Sequence, residues 1–385
     1  MILRVQASIN RKALAHNLAI ARGYARGNGI VALIKANGYG HGLLPVAEAL
    51  HDADIFGVTD LEEAQLLRAG GTDKEILILQ GPMVRAEVAR IAQQGFQLVI
   101  HNADQLAWLE QELAKLTLTK PLNFWLMLET GMNRLGFAPA EFTAAYHALK
   151  TKSWTGSVVL MTHLANASMP ESPLNAEQLH NFHTCKATLG SAGLVDSISA
   201  SASMLALGTP AISTASLDPV QQVFSQTVCT WARPGIMLYG SSPFLWADKK
   251  RRREAFGLQA VMTLQAQLIA ISEVPAGASI GYNSQFICPH PMRIGTVSIG
   301  YADGYPSNTP NGAPVVIRNT RTQTLGRVSM DMLTIDLTTI PAAQVGDEVT
   351  LWGDDVSLDE VAAHTGILAY NLTCSITARV PLVYR

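Results

Sequence analysis

The sequence predicts an α/β protein with an N-terminal (β/α)8 TIM-type barrel followed by a mostly β C-terminal domain. Three observations carry that expectation. Short apolar runs alternate with helical patterns eight times over the first 239 residues, and continuous apolar strands joined by helices make a parallel sheet covered on its faces. No GxGxxG or Walker loop interrupts the series, so a doubly wound nucleotide fold is the weaker reading. Beyond residue 245 the pattern changes to strand-like runs broken by Gly, Pro and Asn. A barrel of about 250 residues leaves roughly 135 for a second domain. The expected domains are 1–245 and 246–385.

The elements follow in order. Ser8 or Asn10 can cap a first helix that runs to about residue 26, because short polar side chains satisfy the free N–H groups of a first turn. Strands are expected at 30–34, 55–58, 76–79, 98–100, 122–128, 158–161, 197–200 and 230–239. Helices are expected between them at 43–52, 61–69, 86–94, 103–115, 138–149 and 175–191. The second domain is expected to hold strands at 261–271, 295–299, 315–317, 332–336 and 348–351, and a helix at 358–364.

Composition narrows the function classes. Charged residues are 15 % and apolar residues 48 %, against a typical charged share of about 25 %. Mean hydropathy is +0.17. Disorder is excluded, and a large core with an extensive subunit interface is expected. A net charge of −2 argues against a nucleic-acid partner. No apolar window is long enough for a membrane span, and the N-terminus lacks a basic segment followed by an apolar one, so a cytoplasmic protein is expected. Cys185, Cys229, Cys288 and Cys374 are widely spaced. They read as reduced, mostly buried thiols, with no metal site. The basic run at 249–253 reads as a solvated interdomain loop.

Chemistry concentrates first at Lys35, in Ile34-Lys35-Ala36-Asn37-Gly38-Tyr39-Gly40-His41-Gly42. It is expected at the carboxyl end of the first barrel strand, the face where barrel active sites lie. Partial desolvation there lowers an amine's pKa and makes it nucleophilic. Glycines let backbone approach a ligand closely. The bland alternative is a strand-end lysine pointing into water.

That string resembles the pyridoxal-phosphate (PLP) signature of alanine racemases. Further stretches resemble the same family, in its order and over nearly the whole chain: Leu128-Glu-Thr-Gly-Met-Asn-Arg134-Leu-Gly-Phe137, Thr162-His163, Ser197-Ile-Ser-Ala-Ser201, Arg233-Pro-Gly-Ile-Met-Leu-Tyr-Gly240, Gly281-Tyr282, Gly300-Tyr301-Ala-Asp-Gly-Tyr305, Gly326-Arg-Val-Ser-Met-Asp331 and Arg379-Val-Pro381.

The resemblance implies a role for each matched position. Lys35 would hold PLP as a Schiff base and serve as one of two proton-transfer bases. Tyr282, from the partner subunit of a homodimer, would be the other, because racemisation needs one base on each face of the α-carbon. A phenol with a reference pKa of about 10 needs cationic or hydrogen-bonding neighbours to act so, and His163 and Arg233 would supply them. Arg233 would face the pyridine nitrogen. A guanidinium accepts no proton, so the ring stays a weaker electron sink and simple proton return is favoured over transamination. Tyr39, Ser201 and the N–H groups of Gly235 and Ile236 would bind the phosphate. Arg134 would face the phenolic oxygen and the substrate carboxylate. From the partner, Met330 would offer its N–H to that carboxylate, and Tyr301 would line the access route, with Asp331 beside it.

The implied reaction is interconversion of L- and D-alanine, supplying D-alanine for peptidoglycan. The chain departs from the family pattern at several places. Met127 stands where many members carry a lysine that becomes carbamylated and orients the arginine. Glu129 replaces an aspartate and Asn283 a glycine. Ala378 stands where some members have a tyrosine, and the stretch 205–226 is longer than usual. These bear on substrate breadth, leaving a serine or broad-specificity racemase as the alternative. A decarboxylase on the same plan or a non-catalytic PLP carrier fits less well.

Overall fold

The computed structural model describes residues 4–190, 193–208 and 217–385. The expected helix end at residue 191 and the middle of the long stretch 205–226 lie outside the described residues. The chain divides into two compact units, one of residues 18–38 and 46–238, the other of residues 1–17, 39–45 and 239–385.

The strands in chain order are β1 (Val5–Ile9), β2 (Gly29–Leu33), β3 (Ile55–Val58), β4 (Glu75–Ile78), β5 (Gln97–Ile100), β6 (Leu122–Met127), β7 (Thr155–Met161), β8 (Val195–Ser197) and β9 (Trp231–Ala232). They continue as β10 (Met262–Val274), β11 (Ser279–Ile280), β12 (Phe286–Ile287), β13 (Met292–Val297), β14 (Pro314–Ile317), β15 (Thr320–Leu325), β16 (Leu333–Asp336), β17 (Glu348–Trp352) and β18 (Leu382–Tyr384).

In the first unit β2 to β9 form one eight-stranded sheet in the order β8-β7-β6-β5-β4-β3-β2-β9, parallel throughout. A parallel bridge between Ala200 and Arg233, with the Arg233 N–H donating to Ser199 O at 2.8 Å, closes the ring. Strands β3 to β6 bury all or all but one of their residues, as a sheet covered on both faces must. Val31, Ile55, Leu77, Val99, Trp125, Met127, Val159 and Met161 pack together as one buried cluster. Consecutive members are register partners where β2 meets β3, β5 meets β6 and β6 meets β7, so the cluster fills the barrel interior. Helix starts follow local chemistry. Asp60 accepts from Glu63 N at 3.0 Å, and Asn102 from Gln105 N at 2.9 Å, each capping a first turn.

Two expected strands are shorter than their apolar runs. The run at 230–239 holds only the short β9 and then a 3-10 helix, Ile236–Tyr239. Pro234 lacks an N–H for a ladder and ends the strand. The run at 197–200 ends at Ser197, and a helix over Ser201–Leu207 was not expected.

In the second unit one sheet runs β13-β16-β15-β14-β17-β10-β1-β18, and β13 also pairs with β10. Strand β1, which was not expected, lies antiparallel to β10. That partner is more than two hundred residues away in sequence, so no local pattern could show the pairing. Asn10 caps the helix that follows, accepting from Ala13 N at 3.1 Å. Strand β15 was also missed, because its sequence is polar. It returns from β14 through Arg318 and Asn319, with φ of 50° and 59°, the double positive-φ turn that matches hairpin twist.

The basic run is solvated at Lys249 and Lys250 but not at its arginine end. Arg253 is buried and donates to the carbonyls of Gly353 and Asp354 at 3.2 and 3.1 Å. The Arg252 guanidinium lies 3.5 Å from the Trp246 ring centroid. Arginine stems and planar heads pack this way where an ammonium would not. All four cysteines are free thiols and three are buried. Among the described residues, no helix is long and apolar enough to cross a membrane.

Candidate active site

Lys35 lies two residues beyond the end of β2. Behind it the chain makes a left-handed turn through Ala36, Asn37 and Gly38, with φ and ψ near +55° and +50°, and Tyr39 continues it at φ 52°. Left-handed geometry costs about 1–2 kcal/mol for each non-glycine residue, so neighbours must hold it. The Gly38 N–H donates to Ile34 O at 2.8 Å. Glu63 bridges the turn to the next strand, accepting from Asn37 N at 3.0 Å and Thr59 N at 2.9 Å. Strain held in place by surrounding bonds is characteristic of functional sites.

Arg233 follows β9, and the Leu33 N–H donating to Pro234 O at 3.0 Å ties the two strand ends together. The Arg233 guanidinium is fully buried and donates to Ser197 Oγ and to Thr162 O, both neutral acceptors. Burial pushes its pKa down to about 10, and no carboxylate opposes that shift. It remains a cation at neutral pH.

His163 lies two residues beyond the end of β7 and is half-buried. Desolvation, then the charges of Arg233, Arg134 and Lys35, push its pKa down to about 3. It is a neutral imidazole across the physiological range. One end of the barrel therefore gathers Lys35, Arg134 and Arg233 around an uncharged histidine.

Ser201 starts the unexpected helix. Its hydroxyl accepts from the Gly235 N–H at 2.9 Å and from Met237 N at 3.4 Å. Ile236 is buried at the start of the 3-10 helix. Ser201 Oγ thus gathers two backbone N–H groups as their acceptor, and its own O–H proton is the donor it can offer an anion.

Arg134 is exposed, in the loop after β6. Glu129 does not hold its side chain but organises its backbone. The carboxylate accepts from Gly131 N at 2.5 Å and Arg134 N at 3.2 Å. Burial pushes the Glu129 pKa up, but these bonds and those from Met132 and Asn133 outweigh it, and the net shift is down. Met127 is buried in the apolar barrel interior.

The second unit carries the other expected positions. Tyr39 is buried and stacks on Tyr239 at 4.6 Å, with Tyr370 at 6.1 Å. Burial, then Tyr370 and Cys374, raise its pKa, so it stays a protonated phenol able to donate. Gly40 is fixed by close approach, since a Cβ there would fall 2.1 Å from Thr373 O. Tyr282, Tyr301 and Met330 are 66 %, 44 % and 53 % exposed. One segment, 326–331, supports all of them. A Cβ on Gly281 would meet Arg327 N at 3.3 Å. The Tyr301 N–H donates to Ser329 O at 3.0 Å, and Ala302 N to Met330 O at 2.9 Å.

Lys35, His163, Arg134, Arg233, Ser201, Gly235 and Ile236 thus belong to the barrel unit, and Tyr39, Tyr282, Tyr301 and Met330 to the β-rich unit. Thr162 and Ser197, which hold Arg233, stood inside quoted motifs without a role. Tyr239 likewise stood inside a matched motif without a role, and Tyr370 carried no sequence signal beyond being aromatic.

The donor set fits PLP. A buried guanidinium with neutral partners suits an unprotonated ring nitrogen, and the Ser201 cluster suits a phosphate. The Lys35 amine, Arg134 and Arg233 all act on His163 at that end of the barrel.

Comparison with known proteins agrees with this chemistry. Residues 9–243 match the family described as "Alanine racemase, N-terminal domain", and residues 261–384 match "Alanine racemase, C-terminal domain". The chain is 41 % identical over 380 residues, 98 % of each chain, to a protein of Pseudomonas putida named "Alanine racemase, catabolic". It is similar to the crystal structure of the biosynthetic alanine racemase from Pseudomonas aeruginosa, with a TM-score of 0.89, 40 % identity and full coverage of both chains. It also resembles the alanine racemase from Bartonella henselae with covalently bound pyridoxal phosphate, at a TM-score of 0.84, 25 % identity and full coverage of both chains.

Proposed function

This chain belongs to the alanine racemase family and is a PLP-dependent isomerase, and from that premise we propose how its own residues divide the work of interconverting L- and D-alanine. The observation that carries the reading is the buried Arg233 beside neutral His163 and Lys35 at one end of the closed barrel. Bound PLP supplies the electron sink that lets the α-proton leave. Arg233 would keep that sink moderate, because a guanidinium facing the ring nitrogen could donate to it but not leave it protonated. Tyr39, Ser201 and the Gly235 and Ile236 N–H groups hold the phosphate. Lys35 Nζ would hold the cofactor and would move the α-proton on one face.

Tyr282 Oη of the partner subunit moves the proton on the other face, in a homodimer whose sites are shared. Removal from the L-enantiomer falls to Tyr282, and from the D-enantiomer to Lys35. Arg134 and the partner's Met330 N–H orient the carboxylate, and the partner's Tyr301 lines the way in. The work is placed in the cytoplasm, as supply of D-alanine for peptidoglycan. Growth of a D-alanine auxotroph carrying this chain tests that role, and failure to grow despite active enzyme would point to catabolism.

The exposed Ala378 favours a second reading on one point, a pocket that also admits serine or longer side chains. The deciding measurement is a panel of L-amino acids with PLP in heavy water, read by chiral separation and α-deuterium. Dominant deuterated D-alanine supports the main reading. Dominant D-serine or a longer D-product supports the second. Bound cofactor with no D-product and no deuterium sinks both.

A further inference from the structure

Asp303 is a fully buried carboxylate in the turn that carries Tyr301. Arg4 clamps it in a fork, Nη2 to Oδ1 at 2.5 Å and Nη1 to Oδ2 at 3.0 Å. The Gly300 N–H donates to Oδ2 at 3.1 Å. Arg379 Nε stands 3.5 Å from Oδ1, and its Nη2 donates to Asp331 Oδ1 at 2.6 Å. Charges of alternating sign thus run from near the chain's start, through the Tyr301 turn, to the residue after Met330. Burial pushes the Asp303 pKa up, but the Arg4 bonds, the Gly300 N–H and the Arg379 charge outweigh it, so the group stays ionised.

The backbone makes the turn and the Met330 segment one piece. Besides the two N–H bonds already described, a Cβ on Gly300 would fall 2.3 Å from Ser329 O. Thr377 N donates to Asp303 O at 3.2 Å, and Thr377 Oγ1 to Ala302 O at 2.9 Å. A buried ion pair is poor at adding net stability, because desolvation offsets the attraction. It is good at fixing geometry, because guanidinium and carboxylate meet in few orientations.

We propose that the Arg4–Asp303–Arg379–Asp331 network, with Asp303 as its hub, positions Tyr301 and Met330 for substrate binding in the partner's site. This rests on the reading of Tyr301 and Met330 given above. Arg379 and Asp331 are positioning residues, and their effect falls on affinity rather than on proton transfer.

The test uses the PLP-loaded dimer, with KM, kcat and the thermal midpoint measured for Arg379→Ala, Arg379→Lys, Asp331→Asn and Tyr301→Phe. Arg379→Ala should raise KM for alanine about tenfold and change kcat less than about threefold. Arg379→Lys, which keeps the charge but not the fork, should recover part of the loss. Asp331→Asn at the exposed end of the network should move KM the same way, and it serves if Arg379→Ala fails to fold. Unchanged KM in Asp331→Asn and in a folded Arg379→Ala, with only the thermal midpoint lowered, would overturn the proposal and leave the network a brace. Tyr301→Phe separates the two layers. A raised KM in Arg379→Ala with none in Tyr301→Phe supports positioning through Met330 and sinks the role of Tyr301 instead.

Discussion

The two units carry their candidate residues in opposite ways. In the barrel unit Arg233 and Ser201 are buried and their bonds are already made within the unit. In the β-rich unit Tyr282, Tyr301 and Met330 stand out from the surface, while the carboxylate that braces their turn is fully buried. The difference teaches where each half finds its partners. A fully organised interior can wait for a small cofactor. Large exposed apolar and phenolic groups on a rigid base are suited to a second protein surface.

The hardest blow to the barrel half is Lys35→Ala. It should abolish the visible absorbance of covalently held PLP and lower racemisation more than about a thousandfold. Wild-type-like turnover would break the assignment. On the exposed half, Tyr282→Phe should keep that absorbance and lose about a hundredfold or more in racemisation. Unchanged α-deuterium exchange would mean that another group is the second base.

Mixing these two inactive variants sharpens the comparison. If each site takes its barrel half and its β half from different chains, random heterodimers carry one intact site, and about a quarter of wild-type activity should return. If both halves come from one chain, nothing returns.

The smallest expected effect is a pH slope. His163 is neutral in the fold down to about pH 3, whereas in the unfolded chain it takes a proton near pH 6.5. The unfolded state therefore binds more protons between those values, and stability falls as pH falls through that window. His163→Gln should flatten that part of the urea midpoint against pH. An unchanged slope would show that His163 titrates normally.

Much of this was legible along the chain. The apolar runs of β2 to β7 announce a covered parallel sheet, because burial on both faces demands continuous apolar residues. Asp60 and Asn102 announce helix starts for local reasons. The ordered motifs named most of the candidate site, since Lys35, Arg233 and Tyr282 sit in distinctive strings. Less legible were groups whose meaning depends on distant partners. Strand β1 looks like a leader to a helix until β10 is beside it. Arg253 looks like part of a solvated charge run until the carbonyls of Gly353 and Asp354 receive it. Asp303 looks like a turn aspartate until Arg4 and Arg379 close on it.

The sequence by itself determined the periodicities, the caps, the turn chemistry and the identity of the reactive side chains, all properties of neighbouring residues. Only the tertiary structure decided which of those side chains are desolvated and by which charges. That depends on strands far apart in sequence meeting at one end of a barrel. It turned His163 into a neutral imidazole and Arg233 into a buried cation with neutral partners. It also made Asp303 a buried anion, because desolvation and Coulomb attraction act through space and not along the chain.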